Sequence, residues 1–390
     1  MSLQPNAAGL VVDPLVTRLD GVIDRVLAEK RIVGTAVLVA RHGRRVYERA
    51  AGLADREAGK AMTPDTIFRL ASVTKPFVTV AAMRLVEQGR IGLDDPVTRW
   101  LPDFRPRTAD GAEPVIRLRH LLSHSAGLSY GFFEAKGTPY HQLGVSDGLD
   151  HHSGLTLAEN LRRLAQAPLA FDPGTAWRYS LGIDVIGSVL EKASGESLPA
   201  LVRRLVAQPL GLADTDFAVT DRSRLAAAYA DGRPEPQAIT DGMEVPLWEQ
   251  AVRFAPSRIF DPAAYPSGGA GMAGTAGEVL ALLETIRKGG APLLAPETVG
   301  EMTTDQVGAE AQTQGPGWGF GFGWAVLDDP AQALTPQAKG TIQWGGAYGH
   351  SWFVDRQSGL SVVALTNTAF EGMSGLFTLE VRDAVYGAAP

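Results

Sequence analysis

Ser72 and Lys75 lie three positions apart, directly before the apolar run 77–83. On a helix, residues at this spacing share a face, so the lysine amine can reach the serine hydroxyl. The run 77–83 is apolar nearly all round, which is typical of a buried helix. Burial favours the neutral amine, which can accept the hydroxyl proton, and the free N–H groups of a helix N-terminus can bind an oxyanion. The pair therefore predicts nucleophilic catalysis by Ser72 with Lys75 as the base.

A second serine, Ser146, lies in the Gly-x-Ser-x-Gly pattern of residues 144–148. In many hydrolases this pattern forms a sharp turn that carries the nucleophile between a buried strand and a helix. Here residues 134–142 show no strand pattern and residues 149–154 show no helical pattern. His350 lies downstream, so composition alone does not exclude a triad, but the preceding hairpin is antiparallel and no βαβ series is present. We therefore expect Ser146 to lie in a surface turn and to have no catalytic role.

A metal hydrolase is a competing interpretation. His120 and His124 are four positions apart on a predicted helix, which is a spacing that metal ligands use. The segment lacks the glutamate of the His-Glu-x-x-His motif. The sequence has no cysteine, which excludes disulfides, thiolate catalysis and cysteine-ligated zinc. We therefore expect no metal and no cofactor, with both histidines in local hydrogen bonds.

Composition limits the partners of the chain. It has 390 residues, of which 45% are hydrophobic and 20% charged, and these can form a large core. The net charge of −7 argues against nucleic acid and acidic membranes as partners. No apolar window is long enough to cross a bilayer, and residues 1–20 lack the features of a signal peptide. We therefore expect a cytoplasmic protein, and the oligomeric state stays open.

Strand patterns gather at both ends of the chain, and helical patterns fill the middle. Residues 33–50 are typical of an antiparallel hairpin, and three further strands are predicted near the C-terminus before a last helix at 373–387. Those three strands are predicted at 341–344, 350–354 and 360–367. Helices are predicted at 13–30, 77–88, 115–124, 156–167, 181–194 and 198–207. Residues 214–266, rich in Pro, Gly and Asp, are expected to wrap the surface near a site.

These elements predict an α/β (α+β) fold with one antiparallel sheet built from both chain ends and flanked by helices. We expect a discontinuous sheet domain formed by residues 1–75 and 267–390. A mainly helical region with long loops, residues 76–266, would be inserted between its halves. The functional cleft is expected where the two parts meet.

Four segments resemble the motifs of the serine β-lactamase and penicillin-binding protein superfamily, in matching order over roughly residues 20–385. They are SVTK at 72–75, LLSHSAGL at 121–128, FDPGTAWRYS at 171–180 and WGG at 344–346. The combination of WGG with Tyr-Ser-Leu at 179–181 is similar to family VIII carboxylesterases of the EstB type. The resemblance implies a β-lactamase-like fold and a serine carboxylesterase that works through an acyl-enzyme.

The resemblance also implies roles for individual residues. Ser72 would be the nucleophile and Lys75 a general base. Tyr179 would relay protons, first from Ser72 and then to the leaving alkoxide. The oxyanion hole would consist of the N–H groups of Ser72 and Ala347. Trp344, Gly345, Gly346 and Leu181 would contact the substrate.

Two positions depart from the β-lactamase and peptidase motifs. Leu181 replaces an asparagine that can bond an amide substrate and support the lysine, and Trp344 replaces a cation. A substrate carboxylate facing Trp344 would be unpaired, at a cost of about 1–3 kcal/mol or more. Both changes favour neutral esters with short- to medium-chain acyl groups. A β-lactamase or D-Ala-type peptidase, and a binding or sensor protein without turnover, stay as alternatives.

Aromatic residues are concentrated in one late segment. Four of the seven tryptophans, Trp318, Trp324, Trp344 and Trp352, fall within residues 318–352, and residues 317–324 alternate glycine with aromatics. This pattern fits either the wall of an acyl pocket or sheet packing in which glycines allow close approach. Only Trp344 is assigned to the cleft, because of its place in the WGG motif.

Overall fold

A computed structural model describes residues 13–388, apart from the side chain of residue 309. Residues 1–12, which are part of the segment used to predict that no signal peptide is present, lie outside the described residues. No helix within 13–388 combines the length and apolar character that crossing a bilayer requires.

Helices and strands alternate unevenly along the chain. The helices are α1 (Pro14–Ala28), α2 (Thr74–Glu87), α3 (Leu118–Leu122), α4 (Pro139–Gln142), α5 (Leu157–Leu164), α6 (Gly182–Ser194), α7 (Leu198–Val202), α8 (Gln208–Leu210), α9 (Ala276–Arg287), α10 (Pro296–Met302), α11 (Ala369–Ser374) and α12 (Leu376–Tyr386). The strands are β1 (Gly34–Arg41), β2 (Arg44–Asp55), β3 (Lys60–Ala61), β4 (Ile67–Arg69), β5 (Tyr229–Ala230), β6 (Gln237–Ala238), β7 (Glu244–Leu247), β8 (Gln250–Arg253), β9 (Ala273–Thr275), β10 (Trp318–Phe320), β11 (Ala325–Leu327), β12 (Ile342–Gly346), β13 (His350–Asp355) and β14 (Leu360–Thr366). A π-helical turn, Arg203–Ala207, joins α7 to α8.

The main sheet has eight antiparallel strands in the order β10-β11-β12-β13-β14-β1-β2-β3. Its centre is the pair of β1 with β14, in which Thr35 lies opposite Thr366 and Arg41 opposite Leu360. The prediction of one sheet built from both chain ends is therefore confirmed. The division into residues 1–75 with 267–390, and 76–266, stays a prediction.

Helices cover both faces of the sheet. One apolar cluster joins α1 and α12 to side chains of β1 and β14. On the other face α9 packs against the same two strands. Because neither face meets water, β14 is buried along its whole length and shows no apolar–polar alternation.

The predicted helices are present, with ends that differ by a few residues. The predicted helix at 115–124 is formed only over Leu118–Leu122, and the one at 373–387 is interrupted at Gly375. The sequence analysis missed α9, α10, the β4–β9 pair, the edge strand β10 and its neighbour β11. The helix α9 is buried over most of its circumference, which leaves little amphipathic signal.

The segment 214–266 forms two small ribbons, β5 with β6 and β7 with β8, rather than a plain loop. Trp248, in the turn between β7 and β8, is 75% exposed, and its ring stacks on that of Phe133 with centroids 6.0 Å apart. Both residues line a cavity of about 600 Å³. This part of the segment therefore lies next to the candidate site.

Candidate active site

Ser72 lies in a 3₁₀ turn, Ala71–Val73, that leads directly into α2. Pro76 has no N–H, so it cannot donate the α-helical hydrogen bond to the Ser72 carbonyl, and 3₁₀ geometry is favoured. The Thr74 N–H bonds that carbonyl instead. Ala71 has a φ of +46°, a left-handed conformation that is uncommon for a residue other than glycine. Backbone strain of this kind concentrates at functional sites.

The structure brings the side chains of Ser72, Lys75 and Tyr179 together at the start of α2. Ser72 Oγ accepts a hydrogen bond from the Tyr179 hydroxyl at 2.7 Å and another from Lys75 Nζ at 3.2 Å. Lys75 Nζ also lies 4.6 Å from the centroid of the Tyr179 ring. At these distances a proton can pass from Ser72 to either neighbour directly.

Two groups that the sequence analysis missed hold Lys75, which is fully buried. Its Nζ donates to the Tyr130 hydroxyl at 2.9 Å and to the Gly269 carbonyl at 2.8 Å. Burial raises the pKa of Tyr130 well above its usual value, and the nearby Tyr179 adds to this, so Tyr130 accepts as a neutral phenol. These two oxygens replace the support that the asparagine absent at position 181 would have given. The available signal for Tyr130 was its place two residues after the 121–128 motif.

A buried carboxylate, Asp184 on α6, lies behind Lys75. Its Oδ1 accepts from the Ser267 hydroxyl at 2.6 Å. Burial raises the pKa of Asp184, while the Ser267 bond and the Lys75 charge oppose that rise. A Cβ atom at Gly269 would lie 2.5 Å from Asp184 Oδ2, 2.9 Å from Tyr130 OH and 3.4 Å from Lys75 Nζ. Only glycine therefore fits at position 269.

Trp344 on β12 contacts Tyr179 rather than presenting a free donor to the cavity. Its Nε1–H donates to the Tyr179 hydroxyl at 3.2 Å. On another side of the same phenol, the His124 ring lies edge-on with centroids 4.8 Å apart. Burial lowers the pKa of His124 well below its usual value, and Lys75 adds to this, so the imidazole is neutral. If Tyr179 loses its proton, the Trp344 N–H and the Lys75 charge are the groups placed to stabilise the phenolate.

The backbone next to Ser72 can form the expected oxyanion hole. Ala347 directly follows β12, and among the described residues no acceptor is found for its N–H. A Cβ atom at Gly346 would collide with the Leu70 carbonyl and would lie 3.2 Å from Val73. The absence of a side chain at Gly346 therefore lets β12 approach the turn that carries Ser72 closely enough for Ala347 to face the same space.

Ser72 opens into a cavity of about 600 Å³. Its lining is rich in aromatic side chains and includes the rings of Tyr130, Phe132, Phe133, Trp177, Tyr179, Trp248, Trp318, Trp344 and Phe370. One lining cation, Arg178, is paired with Glu134 at 3.3 Å. The cavity is thus an apolar space with hydroxyl groups at its reactive end.

Two of the four residues predicted to contact substrate do not line this cavity. Leu181 is fully buried in the main core, where its backbone caps the start of α6, so its side chain points away from the cavity. Gly346 packs against the Ser72 turn, as described above. The structure does place Trp344 and Gly345 in the lining. Of the other late tryptophans, Trp318 and Trp352 line it and Trp324 is in the core.

Ser146 lies apart from this constellation, and the expectation that it occupies a surface turn is wrong. It is 1% exposed, its hydroxyl donates to Asp150, and it accepts from the Tyr265 hydroxyl at 3.1 Å. Asn160 bonds both its N–H and its carbonyl. His152 contacts Asp150 rather than Ser146, so no histidine touches the Ser146 hydroxyl. A buried serine held in this way has no open path to a substrate.

The two spaced histidines take part in separate local hydrogen bonds. His120 Nδ1 accepts from the Arg117 N–H at 3.2 Å, whereas His124 Nδ1 accepts from the Ser180 N–H at 3.3 Å. In residues 13–388 no group of three or more potential metal ligands is found.

Comparison with known protein families gives a match to the family described as Beta-lactamase, over residues 19–385. The chain belongs to the beta-lactamase family. Within that family, Esterase EstB from Burkholderia gladioli is 58% identical to this chain over 389 residues, which are 99% of this chain and 98% of that protein.

Two solved structures share the fold described here. EstCE1, described as a hydrolase with promiscuous acyltransferase activity, is 56% identical with a TM-score of 0.94, and the match covers 96% of this chain and 99% of that chain. A variant of simvastatin synthase from Aspergillus terreus shares the fold with a TM-score of 0.77 at 22% identity, over 98% of this chain and 99% of that chain. The predicted β-lactamase-like fold is confirmed, and the chain is a serine hydrolase of the beta-lactamase family.

Proposed function

We propose that this protein is a carboxylesterase that hydrolyses neutral esters of short- to medium-chain acids through an acyl-enzyme on Ser72. The observation that carries the proposal is the Ser72 hydroxyl, which bonds both Lys75 and Tyr179 at the end of an aromatic cavity. The similarity to Esterase EstB supports ester hydrolysis as the reaction.

In the proposed reaction, the ester carbonyl binds with its oxygen towards the N–H groups of Ser72 and Ala347. Ser72 Oγ forms a bond to the carbonyl carbon, and its proton passes to the Tyr179–Lys75 pair. When the tetrahedral intermediate collapses, Tyr179 returns that proton to the leaving alkoxide. Water then attacks the acyl-enzyme with the same pair as base, which releases the acid and restores Ser72.

The charges around the cavity support neutral substrates. The WGG motif begins with Trp344, whose only hydrogen-bond donor is bound to Tyr179. This residue therefore has no donor for a substrate carboxylate. The two lining cations, Arg178 and Arg382, already have carboxylate partners in Glu134 and Asp383. The free-energy cost of removing water from an anionic substrate group would therefore not be offset by an ion pair in this cavity.

The proposal is tested by comparing Ser72→Ala with Ser146→Ala on p-nitrophenyl butyrate. We expect Ser72→Ala to lose activity and Ser146→Ala to keep a kcat near that of the wild type. Intact-mass spectrometry after a rapid acid quench should detect a butyryl adduct on the wild type and none on Ser72→Ala. Activity that survives in Ser72→Ala and disappears in Ser146→Ala would overturn the assignment.

A β-lactamase or peptidase reaction and a sensor without turnover are separated by two further measurements. Hydrolysis of a chromogenic cephalosporin faster than that of the nitrophenyl ester would favour the β-lactamase. A stable acyl adduct without released acid would favour the sensor. We expect the ester to react faster and the adduct to turn over.

Acyl transfer is a second candidate function, favoured by the aromatic lining and by the description of EstCE1 as a hydrolase with promiscuous acyltransferase activity. An alcohol that enters an apolar cavity meets the same acyl-enzyme as water does. We propose that vinyl butyrate and benzyl alcohol in buffer give benzyl butyrate with the wild type. Absence of this ester, with butyrate as the sole product, would remove the second function.

A further inference from the structure

A second cavity, of about 380 Å³, lies against the first one. Leu149 and Ala270 line both, so the two spaces are separated by a thin wall. The second cavity contains neither Ser72 nor any residue of the proposed reaction. Its lining has an apolar side, which includes Phe217, Ile259 and Met272, and a strongly basic side.

Four arginines line this cavity in a protein whose net charge is −7. They are Arg69, Arg203, Arg222 and Arg258. The lining also has two carboxylates, but both are occupied, since Asp216 pairs with Arg203 and Asp261 binds His151 at 2.7 Å. In residues 13–388, no ion pair is formed by Arg69, Arg222 or Arg258. Three arginines without a direct ion pair therefore line one cavity.

Arg69 is the deepest of the three. It donates through Nε to the Pro256 carbonyl at 2.8 Å and through Nη1 to the Ala226 carbonyl at 2.8 Å. These neutral acceptors hold the side chain but leave its charge without a counter-ion. Burial lowers the pKa of Arg69, and the attraction of Tyr348 and Asp241 only partly offsets this. Its remaining exposed surface faces the cavity, so an anion there would relieve the cost of burying the charge.

The other two arginines are held in place by aromatic rings. The Arg258 guanidinium lies 4.5 Å from the centroid of the Tyr265 ring and donates to the Gly148 carbonyl at 3.1 Å. The Arg222 guanidinium lies 4.3 Å from the centroid of the Phe260 ring. Arg258 also donates from Nη2 to the Tyr265 carbonyl at 2.7 Å, which occupies its Nε–Nη2 edge. Among the described residues no hydrogen bond is made by the Arg222 side chain or by Nη1 of Arg258, so these N–H groups can bind an oxyanion.

We propose that this second cavity is a binding site for a short-chain aliphatic carboxylate. Its guanidinium groups would bind the carboxylate oxygens, and Phe217, Ile259 and Met272 would contact the alkyl chain. Phosphate shares the guanidinium chemistry but gains nothing from the apolar wall, so the lining favours the carboxylate. The site is separate from Ser72, so binding there does not require the proposed esterase reaction.

Binding is measured by calorimetry on the full chain carrying Ser72→Ala, with hexanoate, hexanol and inorganic phosphate at constant ionic strength. We expect saturable binding of hexanoate, weaker binding of phosphate and no binding of hexanol to the same site. Adding Arg222→Glu, at an exposed position, should weaken hexanoate binding at least about tenfold. Arg258→Gln should do the same, and Arg44→Glu, an equal charge change at an exposed position outside the cavity, should have no effect.

Each alternative outcome has a definite meaning. Hexanoate binding that survives both Arg222→Glu and Arg258→Gln would place the ligand in the first cavity and overturn the proposal. Tighter binding of phosphate than of hexanoate would overturn the carboxylate assignment. If Arg258→Gln fails to fold because its bonds to Gly148 and Tyr265 are lost, the Arg222→Glu result decides alone. Because every sample carries Ser72→Ala, failure here is distinguishable from failure of the proposed reaction.

Discussion

Replacing Trp344 with phenylalanine tests whether the indole N–H supports proton transfer by Tyr179. The substitution keeps an aromatic ring in the cavity and removes the one donor that reaches the Tyr179 hydroxyl from β12, at 3.2 Å. In the ground state this bond joins two neutral groups. When Tyr179 passes its proton to the leaving alkoxide in the proposed reaction, its oxygen gains negative charge, so the bond is stronger in that transition state.

The expected loss follows from that difference in charge. A hydrogen bond to a charged group contributes about 1.5–3 kcal/mol, against roughly 0.5–1.5 kcal/mol for a neutral pair. A distance of 3.2 Å is at the long end of the usual range, which favours the lower half of the estimate. The difference between the charged and the neutral bond, about 1–1.5 kcal/mol, lowers kcat by roughly five- to twelvefold. Because the ground-state bond is weaker, KM should change much less than kcat.

The assay is steady-state hydrolysis of p-nitrophenyl butyrate by Trp344→Phe beside Trp318→Phe. Trp318 also lines the cavity, but it makes no described hydrogen bond to Tyr179, so its substitution controls for the smaller ring. We expect the kcat of Trp318→Phe to stay within about threefold of the wild type. If Trp344→Phe behaves as the control does, the indole N–H plays no part in the chemical step and the reasoning fails.

Three further predictions concern single residues. Tyr179→Phe should lower kcat at least about tenfold by removing the proton relay, and an unchanged kcat would exclude Tyr179 from the mechanism. Gly269→Ala should give a protein with native circular dichroism but little esterase activity, because the methyl group would displace Lys75 and Tyr130; near-wild-type kcat would contradict this. Burial lowers the pKa of His350 to about 4, below the roughly 6.5 of an unfolded histidine. The unfolded chain therefore binds more protons between these values, and as pH falls from about 6.5 to 4 this residue should remove about 3 kcal/mol of stability. Urea unfolding of His350→Gln should show a smaller loss over that range than the wild type, and an equal loss would refute the assignment.

The sequence predicted the reactive centre because its members are tied to local patterns. Ser72 and Lys75 share one helical turn, so their proximity follows from spacing alone. Tyr179 was added by a resemblance between motifs, since nothing in its own neighbourhood brings it to α2. Gly269 and Tyr130 act through contacts between distant loops, and the positions of loops depend on tertiary packing that periodicity does not describe.

The sheet was predictable for a related reason. Hairpins and short apolar runs identify strands locally, and the gathering of strands at both chain ends leaves one economical way to pair them. The helix α9 was missed because it is buried on most sides, although Thr275 gives a usable start signal by accepting the Glu278 N–H. The edge strand β10 was missed because it contains Gly319 and is flanked by Gly317 and Gly321. These glycines lie close to neighbouring segments and weaken the strand pattern.

Residues of the Gly-x-Ser-x-Gly stretch contact the segments that carry Tyr130 and Ser267, although none of them takes part in the proposed reaction. Asp147 accepts the Gly131 N–H at 2.6 Å and the Phe132 N–H at 3.1 Å, and so fixes the backbone directly after Tyr130. A side chain at Gly148 would collide with Ser267, the residue that bonds Asp184.

The neighbouring Ser146 joins its loop to helix α5 through Asn160, with hydrogen bonds of 2.8 and 2.9 Å. The stretch therefore helps to fix the positions of Tyr130 and Asp184, which lie next to Lys75. A substitution at Ser146 should lower the stability of this support before it lowers the rate, because no atom of Ser146 meets the substrate. A Ser146 variant with a changed kcat and an unchanged free energy of unfolding would contradict this arrangement.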